Sequence, residues 1–311
     1  MTGVRADLLR PGDVANVVST AVIAAVAAYE VAVPFSPLVH TWWFALAVTI
    51  VGAYLVSTAL ATVISRRGNV PIALAALGGG LLASTVAFAA FLVGEPFRVP
   101  AAPGQIYRPP HSSSVALAFP DVALSRDNGS AAWPDHVDAI DGAAQIPGQA
   151  GDTLRAGAFV FSIAAGPIAH VDAKSDKGDP VTVTQPDGAA FLSPFLTFGG
   201  LDGDKPEDYF AVPALHRTVQ VDYWPGLPSR GIDVPFLALR ISEENGGPLY
   251  EGVAVSSRPL RKAGVELTFL IGTYPIVNAS SAPPLLPFCA GIAMIAAGWI
   301  GAAVRNLRRT A

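Results

Sequence analysis

Long apolar runs separate this chain into two kinds of sequence. Nearly uncharged stretches occupy about Val14–Val33, His40–Ile64 and Val70–Val93, and a fourth covers about 284–304. A bilayer core of about 30 Å requires roughly 20 apolar residues in helix, and each run meets that length. Residues 94–283 between the third and fourth runs are polar, rich in Pro, Gly and Asp, and contain no such run. Within them, 158–163, 181–184, 218–223, 236–241, 252–256 and 265–271 are short β-branched and aromatic segments divided by turn residues such as Glu244-Asn245-Gly246-Gly247. That pattern predicts antiparallel strands. Residues 94–149 carry Pro96, Pro100, Pro103, Pro109, Pro110, Pro120, Pro134 and Pro147, which predict an extended or loop-rich approach to the domain.

The expected fold class is therefore membrane α+β: four transmembrane helices with a large β-rich, antiparallel, sandwich-like extracytoplasmic domain between helices 3 and 4. The expected divisions are a three-helix region (1–95), the β-rich domain (96–283), and a last helix with its tail (284–311). Mean hydropathy of +0.45 fits this plan. So do 51% hydrophobic and 14% charged residues, an unusual balance for a soluble domain. The net charge is only -4, and its placement is more informative. Arg5 and Arg10 precede the first run, Arg66 and Arg67 separate the second from the third, and Arg305, Arg308 and Arg309 follow the fourth. By the positive-inside rule both termini are cytoplasmic and the β-rich domain lies across a cell (plasma or inner) membrane. The first run is too long for a cleaved signal peptide, exits into Pro34 and Pro37, and is followed at once by another span.

Several chemistries are excluded by residue type. The single cysteine, Cys289, falls in the fourth run, so the β-rich domain has no thiol pair. His111, His136, His170 and His216 are scattered and lack zinc spacing. Asp202-Gly203-Asp204-Lys205-Pro206-Glu207-Asp208 misplaces the Gly and Glu of an EF-hand and reads as a solvated acidic turn. Gly78-Gly79-Gly80 lies inside an apolar run with no Lys-Ser/Thr after it, so it is a helix-packing surface and not a phosphate loop. Ser112-Ser113-Ser114 lacks nucleophile-elbow glycines, and there is no basic stripe for nucleic acid. Asn128-Gly129-Ser130 and Asn278-Ala279-Ser280 match the N-glycosylation tripeptide, a pattern common by chance. The expectation is a protein that is not an enzyme.

Two residues remain as site candidates. Glu30 is the one acid within an apolar run, where a charge costs on the order of 2.5–3.5 kcal/mol at mid-bilayer. It is either hydrated near the exit at Pro34 or part of a polar site with His40. His40, where the second run begins, is either a headgroup-layer residue or a contact for haem or a metal.

The layout of three spans, β-rich domain and last span resembles ResB-type cytochrome c biogenesis proteins. The stretch Pro37-Leu38-Val39-His40-Thr41-Trp42-Trp43-Phe44-Ala45-Leu46, running on to Arg66-Arg67, is similar to the family's second span. Arg258-Pro259-Leu260-Arg261-Lys262-Ala263-Gly264 is similar to the "PL-x-x-x-G" segment that precedes the family's last hydrophobic stretch. The resemblance implies a non-catalytic assembly factor in cytochrome c maturation that works with a haem-delivering partner and with apocytochrome c. The family places histidine within a span, whereas His40 stands at the boundary of one. The competing expectation is an accessory subunit of a respiratory or photosynthetic complex. Either way the expected partners are membrane lipid and other integral membrane proteins.

Overall fold

In a computed structural model, residues 11–65, 69–100, 102–125, 130–186, 188–198 and 207–310 are described. Arg5, Arg10, Arg66, Arg67, Asn128 and the acidic stretch 202–206 lie outside them, as does the Arg309 side chain.

The apolar runs form α1 (Pro11–Ala32), α2 (Trp42–Ser65), α3 (Val70–Val93) and α4 (Leu285–Thr310). All four are long and apolar enough to cross a membrane. α3 is the axis of the bundle, with 61% of its span buried against 28% for α1, 28% for α2 and 17% for α4. Small residues create that arrangement. A methyl group added at Gly78 would stand 2.7 Å from the Gly291 carbonyl oxygen, and one at Gly298 2.6 Å from the Ala75 nitrogen, so α3 and α4 touch backbone to backbone. On the other side, a methyl group on Gly52 of α2 would meet the Ala83 Cβ at 2.7 Å. The tight packing anticipated from Gly78-Gly79-Gly80 is present.

Between α3 and α4 the described residues make eighteen strands. The first eight are β1 (Phe97–Arg98), β2 (Ile106–Tyr107), β3 (Val115–Ala118), β4 (Ala123–Ser125), β5 (Ser130–Ala132), β6 (His136–Asp141), β7 (Ala144–Gln149) and β8 (Thr153–Ala156). The long β9 (Phe159–Ser175) follows, then β10 (Val183–Thr184), β11 (Ala190–Phe191), β12 (Phe195–Thr197) and β13 (Glu207–Val212). The last are β14 (Arg217–Trp224), β15 (Phe236–Glu243), β16 (Pro248–Val255), β17 (Leu260–Lys262) and the long β18 (Val265–Ser281).

β9 and β18 are the spine. Each has 17 residues, and they pair antiparallel along their whole length, from Val265↔Ser175 to Ser281↔Phe159. At about 3.4 Å per residue the ribbon is roughly 55 Å long. Its odd-numbered face is mostly apolar, interrupted by Thr273 in the middle and by Ser175 and Ser281 at the ends. Near the helices, Phe159, Phe161, Ile163, Val277 and Ala279 pack against the sheet β2-β3-β6-β7, and Leu92 and Val93 of α3 join that core. Farther out, Ala169, Val171, Ala173, Leu267 and Phe269 pack against the sheet β11-β10-β13-β14-β15-β16. The domain is thus two packed units threaded by one strand pair.

This corrects the sequence reading in two places. Residues 94–149 do not form a loop-rich approach, because β2, β3, β6 and β7 build the sheet of the helix-proximal core. The strands expected at 158–163 and 265–271 also do not stop there. Gly166, Pro167 and Pro275 look like breakers, yet the chain continues through them. The Pro167 carbonyl accepts from the Phe198 amide on the β12 side, and Val277, two residues from Pro275, accepts from Val99 on the β1 side. Alternation therefore turns both proline nitrogens away from the partner long strand, and no rung of the central ladder is lost.

Candidate functional site: the joint between helices and sheet

Two buried polar groups of the helix region, Glu30 and His40, lie at its outer end, where His40 meets β18. α1 turns one stripe inward, Asn16, Thr20, Ile23, Ala27 and Glu30, at alternating spacings of four and three. Its lower polar members are satisfied: Thr58 donates to Asn16 Oδ1 at 3.1 Å and the Thr20 hydroxyl to the Asn16 carbonyl at 2.9 Å. The top member is not. Glu30 is 0% exposed and neither carboxyl oxygen has a hydrogen-bond partner. It was expected to be hydrated near the exit or to join a polar site, and the structure buries it. Thr20 lies beside Gly79 of α3, so the parallel run of the two helices brings Glu30 to the level of Ala89. The Ala89 carbonyl is the one that accepts from the Ser281 hydroxyl at 2.5 Å.

His40 ends the short 3-10 turn Pro37–His40 that links α1 to α2, and it is buried. Its Nε2 is 2.9 Å from the Pro34 carbonyl oxygen and 3.0 Å from Ser280 Oγ. The Ser280 hydroxyl has a single proton, and it is donated to the Pro34 carbonyl at 2.5 Å. The ring nitrogen must then be the donor, which assigns the Nε2–H tautomer and leaves Nδ1 bare. Nδ1 is buried and without a partner. Burial lowers the His40 pKa, partly opposed by the Pro34 contact, so the ring is held neutral. His40 and Ser280 thus pin the end of β18 to the α1–α2 turn, and Ser281 pins it to α3. Sequence reasoning singled out His40 but missed the joint contacts of Ser281 and of Ser280, which it noted only as part of a glycosylation tripeptide.

The even-numbered face of the same sheet carries a second set of polar groups. Register aligns Arg98, Asn278, Ser162 and Thr153 in one rung across β1, β18, β9 and β8, and Ser280, Val160 and Arg155 in the rung nearer the helices. Neither Arg98 nor Arg155 forms an ion pair with a described residue. Arg98 lines a cavity of about 260 Å³ with Phe119, Gly166, Thr197 and Tyr274. Asn278 and Ser280 belong to a paired strand and Ser280 is fully buried, so this tripeptide is not presented as a glycosylation acceptor. Among the described residues no group of three or more His, Cys, Asp or Glu is placed to hold a metal ion.

The other histidines remain apart. His170 is buried on β9 with its ring 5.2 Å from that of Phe195, and its pKa is lowered by burial, partly opposed by Asp172. His216 bonds Glu244 at 3.0 Å on the surface, and His111 occupies a left-handed turn position (φ 61°). Haem, which the ResB resemblance implies, finds no fit at His40: the ring is 4% exposed, Nε2 is engaged, and Nδ1 is shut inside the joint. Compared with known protein families and with curated proteins, the chain matches none.

Proposed function

We propose that this chain is a ResB-like, non-catalytic assembly factor in cytochrome c maturation, inserted in the cell membrane with both termini cytoplasmic and the β-rich domain outside. The observation that carries the reading is the continuity of the element order. α1, α2 and α3 lead into β1, and the long β18 leads out of the domain into α4. The stretches similar to the family fall at its decisive points. Trp42 and Trp43 open α2, exposed as interfacial aromatics are. Leu260–Lys262 and Val265 form a hairpin whose loop residues Ala263 and Gly264 have φ of 54° and 80°, the positive values a type I′ turn requires, and it launches β18. In this reading haem is carried by the partner, and the β-rich domain holds the partner or the apocytochrome.

Arg305 supports the orientation, since its Nη1 donates to Asn69 Oδ1 at 3.2 Å and ties the ends of α3 and α4 that the positive-inside rule places in the cytoplasm. The test is gentle purification of the full chain from its native membrane, with identification of co-purifying proteins and a visible spectrum. A haem-bearing membrane protein together with an unmatured c-type cytochrome supports the assembly role. A fixed set of mature electron-transfer subunits contradicts it and installs the accessory-subunit reading.

A further inference from the structure

Arg155 is an arginine with no carboxylate partner among the described residues. Its Nη2 donates to the Pro283 carbonyl at the start of α4. Its Nε is buried with no acceptor, and no carboxylate of the described residues forms an ion pair with it. Unsatisfied guanidinium N–H groups are costly away from water, and burial pulls the Arg155 pKa below the usual arginine value, partly opposed by Cys289. Beneath it, the segment leaving α1, Val31 to Phe35, closes a cleft of about 460 Å³ with Thr153, Arg155 and Val160. One wall of the cleft is therefore cationic and hydroxylated, and the other is apolar. Helices α1 and α4 both end beside it, so in a chain whose helices cross a bilayer the cleft lies at headgroup depth.

We propose that this cleft binds the phosphate of an anionic phospholipid in the leaflet on the β-domain side. Arg155 and Thr153 donate to the phosphate oxygens, and the acyl chains run along Val31 and Val33. The guanidinium N–H donors that the Pro283 contact leaves over match a phosphate group, and basic recesses between spanning helices are suited to lipid headgroups. The apolar wall selects the lipid over a free anion, because inorganic phosphate gains nothing from Val31, Val33 or Phe35. Arg98 supplies a control. It is equally without an ion pair to a described residue and shares the sheet face, but its cavity is lined by none of the residues leaving α1. The inference rests on the helices being membrane spans and is independent of any role in cytochrome assembly.

The experiment uses the full chain in a neutral detergent, with thermal unfolding followed during titration by phosphatidylglycerol, phosphatidylcholine or inorganic phosphate. Phosphatidylglycerol should raise Tm saturably, and the other two should not. Arg155→Gln should weaken the apparent affinity about tenfold, which is about 1.4 kcal/mol, while Arg98→Gln leaves it unchanged. If Arg155→Gln does not fold for want of the Pro283 contact, Arg155→Lys takes its place. It keeps a donor for Pro283, loses the fork, and should bind phosphatidylglycerol several-fold more weakly. Unchanged binding by the folded Arg155 variant, or equal stabilisation by phosphatidylcholine, overturns the proposal. Stabilisation by inorganic phosphate that depends on Arg155 overturns the lipid assignment in favour of a soluble anion.

Discussion

The two ends of the β9–β18 ribbon are built from the same strands and finished in opposite ways. At the far end, the apolar face is sealed by Phe210, Val219, Val221, Leu237, Leu239 and Ile241, all nearly or fully buried. Charges there meet partners on the surface, as in Arg240–Glu251 at 2.7 Å and Lys174–Asp172 at 3.0 Å. At the near end, the apolar face is equally well packed, but the other face holds Arg98 and Arg155 without ion pairs to any described residue, and the strand terminus is fixed by buried serine and histidine contacts. The far end is finished within the chain. The near end is finished by the helices and, in the reading proposed above, by lipid.

The largest expected effect lies in the far core. Val219→Asp or Leu239→Asp places a carboxylate in an apolar interior with no partner, a cost of several kcal/mol, comparable with the whole stability margin of a domain. Circular dichroism and limited proteolysis should show the β-rich domain lost. Because β9 and β18 thread both cores, the near half should fail with it. Survival of a protected fragment containing residues 97–163 would break the claim that the spine couples the two ends.

Next in size is the helix packing. Gly78→Leu drives a side chain against the Gly291 carbonyl and Met294, and should cost about 1–3 kcal/mol as a lowered Tm in detergent. Ser280→Ala removes a buried hydroxyl from the joint and should cost about 1 kcal/mol. Both buried imidazoles, His40 and His170, have lowered pKa values, so the unfolded chain binds protons there before the folded one does. Their contribution is full above about pH 6.5, the ordinary histidine value, and is lost as pH falls from there through the lowered folded-state values. A Tm that declines on acidification below pH 6.5, with a shallower decline in His40→Gln, is the expected profile; an identical decline in that variant removes His40 from the account. The smallest effect belongs to the far surface. Arg240→Ala breaks a pair in which both side chains are more than half exposed, and should change stability by about 0.5 kcal/mol or less.

The helices were legible in the sequence because a spanning run is long and uniform, and α2 and α3 begin and end within two residues of the expected limits. Strands β14 and β15 were legible for a related reason, their alternation being clean and their ends marked by turns. The spine was not, since Pro167 and Pro275 signal a break unless the direction of each missing N–H is known, and that depends on tertiary pairing. The strands of 97–149 were hidden likewise by prolines at their edges and turns. At the joint, His40 stood out as a lone histidine at a span boundary. Ser280 and Ser281 acquire meaning only once β18 is seen to end on Pro34 and Ala89, contacts made across 246 and 192 residues of chain.

The most direct measurement for the central claim is haem staining of membrane proteins from cells with and without this gene. Loss of covalently bound haem from c-type cytochromes on deletion, restored by the wild-type chain and by His40→Gln but not by Leu239→Asp, is the result the account predicts. Undiminished c-type cytochromes in the deletion strain would contradict it.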